Sequence, residues 1–203
     1  MVNRYIYTTL GFLIISFVCC KNKSTNADFE AYKDSLNNVR KQQNIDLVQN
    51  QIVDTEVFSG LRFFEPNLQY VVKAKVSFFE PKEVVFKTNT ERSPIYYQIA
   101  YLDFTIKDTL CRLTLYASSA DGTKELFLPF KDLSNGKSTY GAGRYLEYQS
   151  NEQIQNNEMK LDFNLAFNPY CHYNKNYSCP IVPNENKLNV FIHAGEQSQP
   201  ELK

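Results

Sequence analysis

Tryptophan is absent, and only two histidines and two methionines occur among the 203 residues. With His172 and His193 as the whole supply of imidazole, a histidine-rich metal centre is excluded. Charge of either sign is not in excess, at 22 basic and 22 acidic residues. The chain therefore has no basic footprint for nucleic acid, and no strong overall field to steer a highly charged partner. No apolar run reaches the roughly 20 residues that a membrane-spanning helix needs. Cysteine is scarce beyond the N-terminus, with only Cys111, Cys171 and Cys179 after residue 20. There is no internal repeat and no composition break that marks a second domain.

What is abundant is phenylalanine and tyrosine, 15 and 14 residues, within a 43% hydrophobic composition. Such a chain can bury a core, and its aromatics favour pleated, half-buried surfaces.

The N-terminus reads as an export signal. Arg4 provides a positive start, Leu10 to Val18 an apolar stretch, and Cys19-Cys20 precedes the polar run Lys21-Asn22-Lys23-Ser24. The apolar stretch is of signal-peptide length. A cysteine at the cleavage point suggests lipid attachment, so residues 1–19 are expected to be a lipoprotein signal peptide and Cys20 the acylated residue. Cys19 is the alternative, and an uncleaved anchor the other. Acylation through two or more chains gives stable membrane attachment. Residues 20–27 read as a lipidated tether and 28–203 as one β-rich domain with an N-terminal helix. The expected location is the cell envelope, periplasm-facing, with the outer membrane preferred over the inner. The membrane would then be a partner through the anchor.

Within the mature chain, Phe29, Tyr32, Leu36 and Val39 recur at spacings of three and four, which predicts a helix over 28–43. From Leu61 the period becomes two. Tyr70 to Phe78 reads as a strand ended by Glu80-Pro81. Further strands are expected at 84–87, 96–106, 111–115, 125–130, 145–148, 160–167 and 188–193, with Lys107-Asp108 as a hairpin turn. About eight short strands in this order predict a mainly β fold, an antiparallel barrel or sandwich.

Unusual residues gather between Phe130 and Glu196. Gly141 and Gly143 allow positive φ or a close approach of backbone to a ligand. Arg144 can grip a carboxylate or phosphate bidentately, or pair internally with a carboxylate such as Asp162. If 160–167 is a strand, Asp162, Asn164 and Ala166 share one face. Cys171 and Cys179 lie eight positions apart. In an exported protein that spacing suggests a disulfide, which would stabilise by about 2–3 kcal/mol. Two readings compete with it: a reactive thiolate served by His172, and a metal site of Cys171, His172 and Cys179. Cys111 reads as a buried free thiol.

Taken in order, Thr139-Tyr140-Gly141-Ala142-Gly143-Arg144-Tyr145-Leu146, Leu161-Asp162-Phe163-Asn164, Asn168-Pro169-Tyr170-Cys171, Tyr177-Ser178-Cys179-Pro180, Pro183-x-Glu185-Asn186 and Ala194-Gly195-Glu196 resemble the bacterial family named domain of unknown function 1684. The resemblance covers residues 55 to 196 and is closest to short lipoproteins of the Bacteroidetes type. It implies a β-rich domain outside the cytoplasm and no particular activity. Val182 departs from a proline common in the family. The matching motifs direct attention to Tyr140, Gly141, Gly143, Arg144, Asp162, Asn164, Asn168, Cys171, Cys179, Pro180, Pro183, Glu185 and Asn186.

The leading functional expectation is a non-catalytic module that binds a small molecule or an envelope protein, without cofactor or metal. Its site is expected where the Tyr140–Arg144 loop meets the loop from Asn168 to Asn186. One alternative is a hydrolase or thiol-dependent enzyme using Cys171 and His172, with Arg144 binding an anion. The other is a purely structural envelope protein whose polar loop residues bond one another.

Overall fold

Seven strands form one open antiparallel sheet in a computed structural model that describes residues 22–199. The expected signal peptide and Cys20 lie outside the described residues. Two units are distinguished, Met1–Ser35 and Leu36–Lys203. The described part of the first is helical, with Phe29 stacked on Tyr32 and Lys33 paired to Glu30 at 2.8 Å. Helix α1 as a whole spans Asn22–Gln49. It thus takes in residues 22–27, read from sequence as a tether, and runs six residues past the expected end at Gln43. The extra turns follow from Asn44 and Leu47. Asn44 anchors the helix through its side chain, accepting the Leu61 amide at 2.8 Å, and Leu47 is buried. Among the described residues no helix is long and apolar enough to cross a membrane.

The strands are β1 (Val71–Val85), β2 (Ile95–Ile106), β3 (Thr109–Ala117), β4 (Leu126–Phe130), β5 (Arg144–Tyr148), β6 (Ile154–Gln155) and β7 (Glu158–Asp162). Their order across the sheet is β5-β4-β3-β2-β1-β7-β6. The β2–β3 hairpin forms as expected, because Lys107 and Asp108 both take left-handed φ values of 47° and 65°, the geometry of a tight hairpin turn. Asn156 and Asn157 do the same at 53° and 58° between β6 and β7.

Four sequence expectations are corrected. The sheet is not closed into a barrel: β5 and β6 are its two ends, and the backbone of β5 meets the chain beyond β7 in the isolated Tyr145–Phe167 bridge rather than in a ladder. Pro81 does not end a strand. It sits in a bulge between Phe78 and Lys82, where no ladder hydrogen bond is asked of it, so the two expected strands merge into the single strand Val71–Val85. The strand expected at 160–167 ends at Asp162, whose carboxylate accepts the Asn164 amide at 3.0 Å and starts a 3₁₀ turn. Asp162, Asn164 and Ala166 therefore do not share a strand face. Finally, 188–193 has the period of a strand but joins no ladder.

One face of the sheet carries the main core. Leu102, Leu113, Leu128 and Leu161 are fully buried there, and Leu188, Val190, Ile192 and Ala194 of the tail pack into the same cluster. A smaller aromatic cluster of Phe86, Tyr116, Phe127 and Tyr145, with Val182, lies apart from it. Pro129 occupies β4 where pairing to β3 has stopped. Asn186 fills that gap. Its side chain accepts from the Thr114 amide at 2.7 Å and donates to the Thr114 and Pro129 carbonyls at 2.9 and 2.8 Å.

Candidate functional site

Arg144 opens β5 with its side chain 0% exposed. One nitrogen of its fork donates to Asp132 Oδ2 at 3.0 Å and to the Ile192 carbonyl at 3.0 Å. The other donates to the carbonyls of Ala194 and Glu196. These are alternate residues of the tail. A guanidinium thus does the work of a neighbouring strand, which explains a strand-like period without a ladder. Asp132 completes the arrangement by accepting the amides of Ser134 and Ile192 at 2.8 and 3.2 Å. Burial pulls the Arg144 pKa down and the Asp132 charge opposes that.

The glycines beside this cluster are set by packing. At Gly143, with φ +107°, a Cβ would lie 2.7 Å from the Phe130 carbonyl oxygen and 2.6 Å from a Val182 methyl. At Gly195, with φ +75°, it would lie 2.6 Å from the carbonyl oxygens of both Phe163 and Ala166. Gly141 has no such crowding. The chain passes close to other backbone at Gly143 and Gly195.

Other sequence-selected residues also have internal partners. Asn164 clasps the backbone of Asn67, accepting its amide at 2.9 Å and donating to its carbonyl at 3.0 Å. Asn186 bridges β3 and β4, as above. Glu185 Oε1 accepts from the Tyr116 hydroxyl at 2.8 Å and from Gln98 at 3.1 Å. Pro180 and Pro183 flank the crossing over the aromatic cluster, and Tyr145 donates its hydroxyl to the Pro180 carbonyl. The Arg144 partner is Asp132 rather than Asp162.

Asn168 leads to the open part of the molecule. Its amide and side chain donate to the two Glu196 oxygens, each at 2.8 Å, and the side chain donates also to the Gln197 carbonyl at 2.9 Å. Glu196 is 1% exposed. Burial pushes its pKa up to about 8, against the pull of the Asn168 donors and Arg144.

Asn168 and Glu196 line a cleft of about 520 Å³. One wall is the C-terminal part of α1, with Asp46 and Leu47; another is β5, with Tyr145 and Glu147; the third is the loop carrying Tyr170, Tyr173 and Tyr177. The loop is held by the apolar cluster of Leu47, Ile52 and Val53, against which Phe58, Leu61, Tyr173 and Tyr177 pack. Tyr170 and Tyr177 meet edge to face at 5.6 Å. Solvent reaches Glu147, yet the protein crowds its carboxyl and raises its pKa, with Glu125 adding to the effect. The volume falls in the range of small-molecule sites.

Cys179 is also in the cleft wall. Cys171 and Cys179 are free thiols here. The Cys171 amide donates to Cys179 Sγ at 3.1 Å. The hydrogen bond between the two side chains raises the Cys171 pKa and lowers that of Cys179, which Arg92 lowers further. The more acidic thiol is thus Cys179. His172 is turned to other partners: its ring packs on Tyr140 at 4.4 Å, and its Nε2 accepts the Gln199 amide at 3.4 Å. Burial lowers its pKa. Among the described residues no hydrogen bond joins His172 to either thiol, and no three His, Cys, Asp or Glu groups gather as a metal site.

The structure therefore brings together Asn168, Cys179 and Pro180 at the cleft, with Tyr140 hydrogen-bonded to Cys171 nearby. It does not bring Gly141, Gly143, Arg144, Asp162, Asn164, Glu185 or Asn186 into the cleft wall. Sequence reading missed Tyr170, Tyr173, Tyr177, Glu147 and Asp46. The tyrosine spacing of three and four was a signal for one common face.

The family described as protein of unknown function (DUF1684) matches residues 56–197. Five solved chains are similar in structure. One is the solution NMR structure of an uncharacterized protein of Haloarcula marismortui, 32% identical, with a TM-score of 0.67, covering 85% of this chain and 97% of that one. No curated protein matches.

Proposed function

The chain belongs to the family of proteins of unknown function DUF1684, and we propose that it is a non-catalytic ligand-binding module of the cell envelope whose site is the tyrosine-lined cleft. One observation carries this reading. Arg144, Asn164 and Asn186 have their hydrogen bonds inside the fold, whereas the cleft leaves Tyr170, Glu147 and Asp46 around an open volume of about 520 Å³. Fold-making polar groups are buried and paired; a cavity edged by aromatic rings with a few polar groups is what a small ligand needs.

The lipid anchor at Cys20 is part of the proposal, supported by the apolar segment before it and the polar residues after it. So are the periplasm-facing location at the outer membrane and a Cys171–Cys179 bridge, supported by the contact of Cys179 Sγ with the Cys171 amide. The purely structural reading is favoured by the internal use of Arg144 and its neighbours, and it expects the cleft to stay empty.

The test is a thermal-shift screen of the full chain against fractionated small molecules from a cell-envelope extract, with Tyr170→Ala as control. A fraction that raises the melting temperature of the wild type and not of the variant supports a cleft ligand. No protecting fraction supports the structural reading. Metabolic labelling with a radioactive fatty acid, lost in Cys20→Ser, checks the anchor. Non-reducing mass spectrometry checks the bridge.

A further inference from the structure

We infer that the cleft takes an organic cation, an amine or ammonium group carried on an apolar body. This rests on the cleft being a ligand site. Its wall contains three acids, Asp46, Glu147 and Glu196, and no lysine, arginine or histidine. The two acids with access to solvent come from different elements, Asp46 from α1 and Glu147 from β5, and both act on the hydroxyl of Tyr170. Neither belongs to an ion pair among the described residues. Arg92 acts electrostatically on Cys179 of the wall and on Tyr96 outside it, and is not itself in the wall.

The aromatic content points the same way. Tyr145, Phe167, Tyr170, Tyr173 and Tyr177 all contribute to the wall. Ring faces attract cations as well as apolar groups. A further acceptor is in place: Asn168 is 2% exposed, and its Oδ1 accepts no hydrogen bond among the described residues. Two carboxylates, a spare amide oxygen and tyrosine rings form a set made of acceptors and π-faces. An ammonium group donates three hydrogen bonds and accepts none, so it matches that set; an anion would meet two like charges. A hard metal ion would need several converging oxygens, and no such group of three is present among the described residues.

The experiment is calorimetric titration of the full chain with three probes of similar size, 2-phenylethylammonium, 2-phenylethanol and 3-phenylpropanoate. The cation is expected to bind about tenfold tighter than the alcohol, with the carboxylate weakest. Glu147→Gln should bring the cation down towards the alcohol and leave the alcohol unchanged, and Asp46→Asn should act in the same direction. Equal affinity for cation and alcohol, or preference for the carboxylate, overturns the cation inference and keeps the cleft as a binding site. No heat with any of the three overturns the binding reading itself, and this inference with it.

Discussion

The Arg144 cluster and the tyrosine cleft share a border at Asn168 and Glu196, yet they treat polarity in opposite ways. Around Arg144 both terminal nitrogens of the guanidinium are assigned, and of its polar atoms only Nε is left without a partner. A buried cation meets one carboxylate and three carbonyls, and the carboxylate meets two amides. In the cleft, carboxylates stand without cations and an amide oxygen without a donor. The first pattern is how a protein builds a scaffold from polar residues; the second leaves chemistry available to something else. A dense run of Gly, Arg, Asn and Asp marks the first as readily as the second. Arg144, read from sequence either as an anion binder or as the partner of an internal carboxylate, belongs to the scaffold with Asp132 as that carboxylate.

The largest effect that tests this contrast is expected from Arg144→Met. Removing the cation leaves Asp132 buried without a partner and should cost about 3–5 kcal/mol in urea unfolding. Arg144→Lys should recover little, because one ammonium cannot span the carboxylate and three carbonyls. Adding Asp132→Asn to Arg144→Met should restore part of the loss. If Arg144→Met unfolds like the wild type, the scaffold assignment is broken.

Next in size is Gly195→Ala, where a methyl would meet two carbonyl oxygens at 2.6 Å in a left-handed backbone. About 3 kcal/mol is expected from strain and overpacking together. Gly141→Ala, with open surroundings, should change the urea midpoint little. Similar losses at both positions would remove the distinction between packing and loop glycines.

A pH experiment sharpens the border itself. Burial raises the Glu196 pKa to about 8 from 4.5, so the folded chain binds this proton more tightly than the unfolded one. Its contribution is fully present below the unfolded value and is lost as pH rises through about 8. The groups facing it are Asn168 and Arg144, and both favour the ionised form. Stability measured by urea should fall between pH 5 and pH 9 (about the window between the two pKa values). Glu196→Gln should flatten that fall. An unchanged slope in the variant would show that another group controls it.

The smallest effect on folding is expected from Tyr170→Ala and Glu147→Gln. Both are exposed to solvent, and surface changes of this kind move stability by about 0.5 kcal/mol or less. Their effect should appear in ligand capture alone. A large loss of stability in Glu147→Gln would move Glu147 to the scaffold side.

The sequence carried the strands whose period and turns agree. β2, β3 and the turn at Lys107-Asp108 follow from alternation alone, and the helix from its apolar stripe. Other elements depend on partners far along the chain. The tail from Leu188 to Ala194 alternates like a strand, but its carbonyls are taken by Arg144, about fifty positions earlier. Local alternation holds no information about that. Strand β7 stops at Asp162 because a side chain captures the backbone two residues on, a local signal that competed with alternation and won. For the site, sequence marked Asn168 and Cys179 but weighted charge and glycine over aromatics. The cleft needs α1, β5 and the tyrosine loop together, and their convergence lies in the tertiary contacts of Leu47, Tyr173 and Tyr177.

The grip of Arg144 on the tail has a consequence for synthesis. Leu188, Val190, Ile192 and Ala194 fill the same interior as β1 to β5 and β7, and the guanidinium at residue 144 stays unsatisfied until the carbonyl of Glu196 arrives. A chain emerging from the ribosome, or threading through a translocation pore, can pair its early strands but cannot close its interior around that cation. Completion waits for residue 196, so the face formed by the earlier strands stays open until the segment from Leu188 to Glu196 is in place.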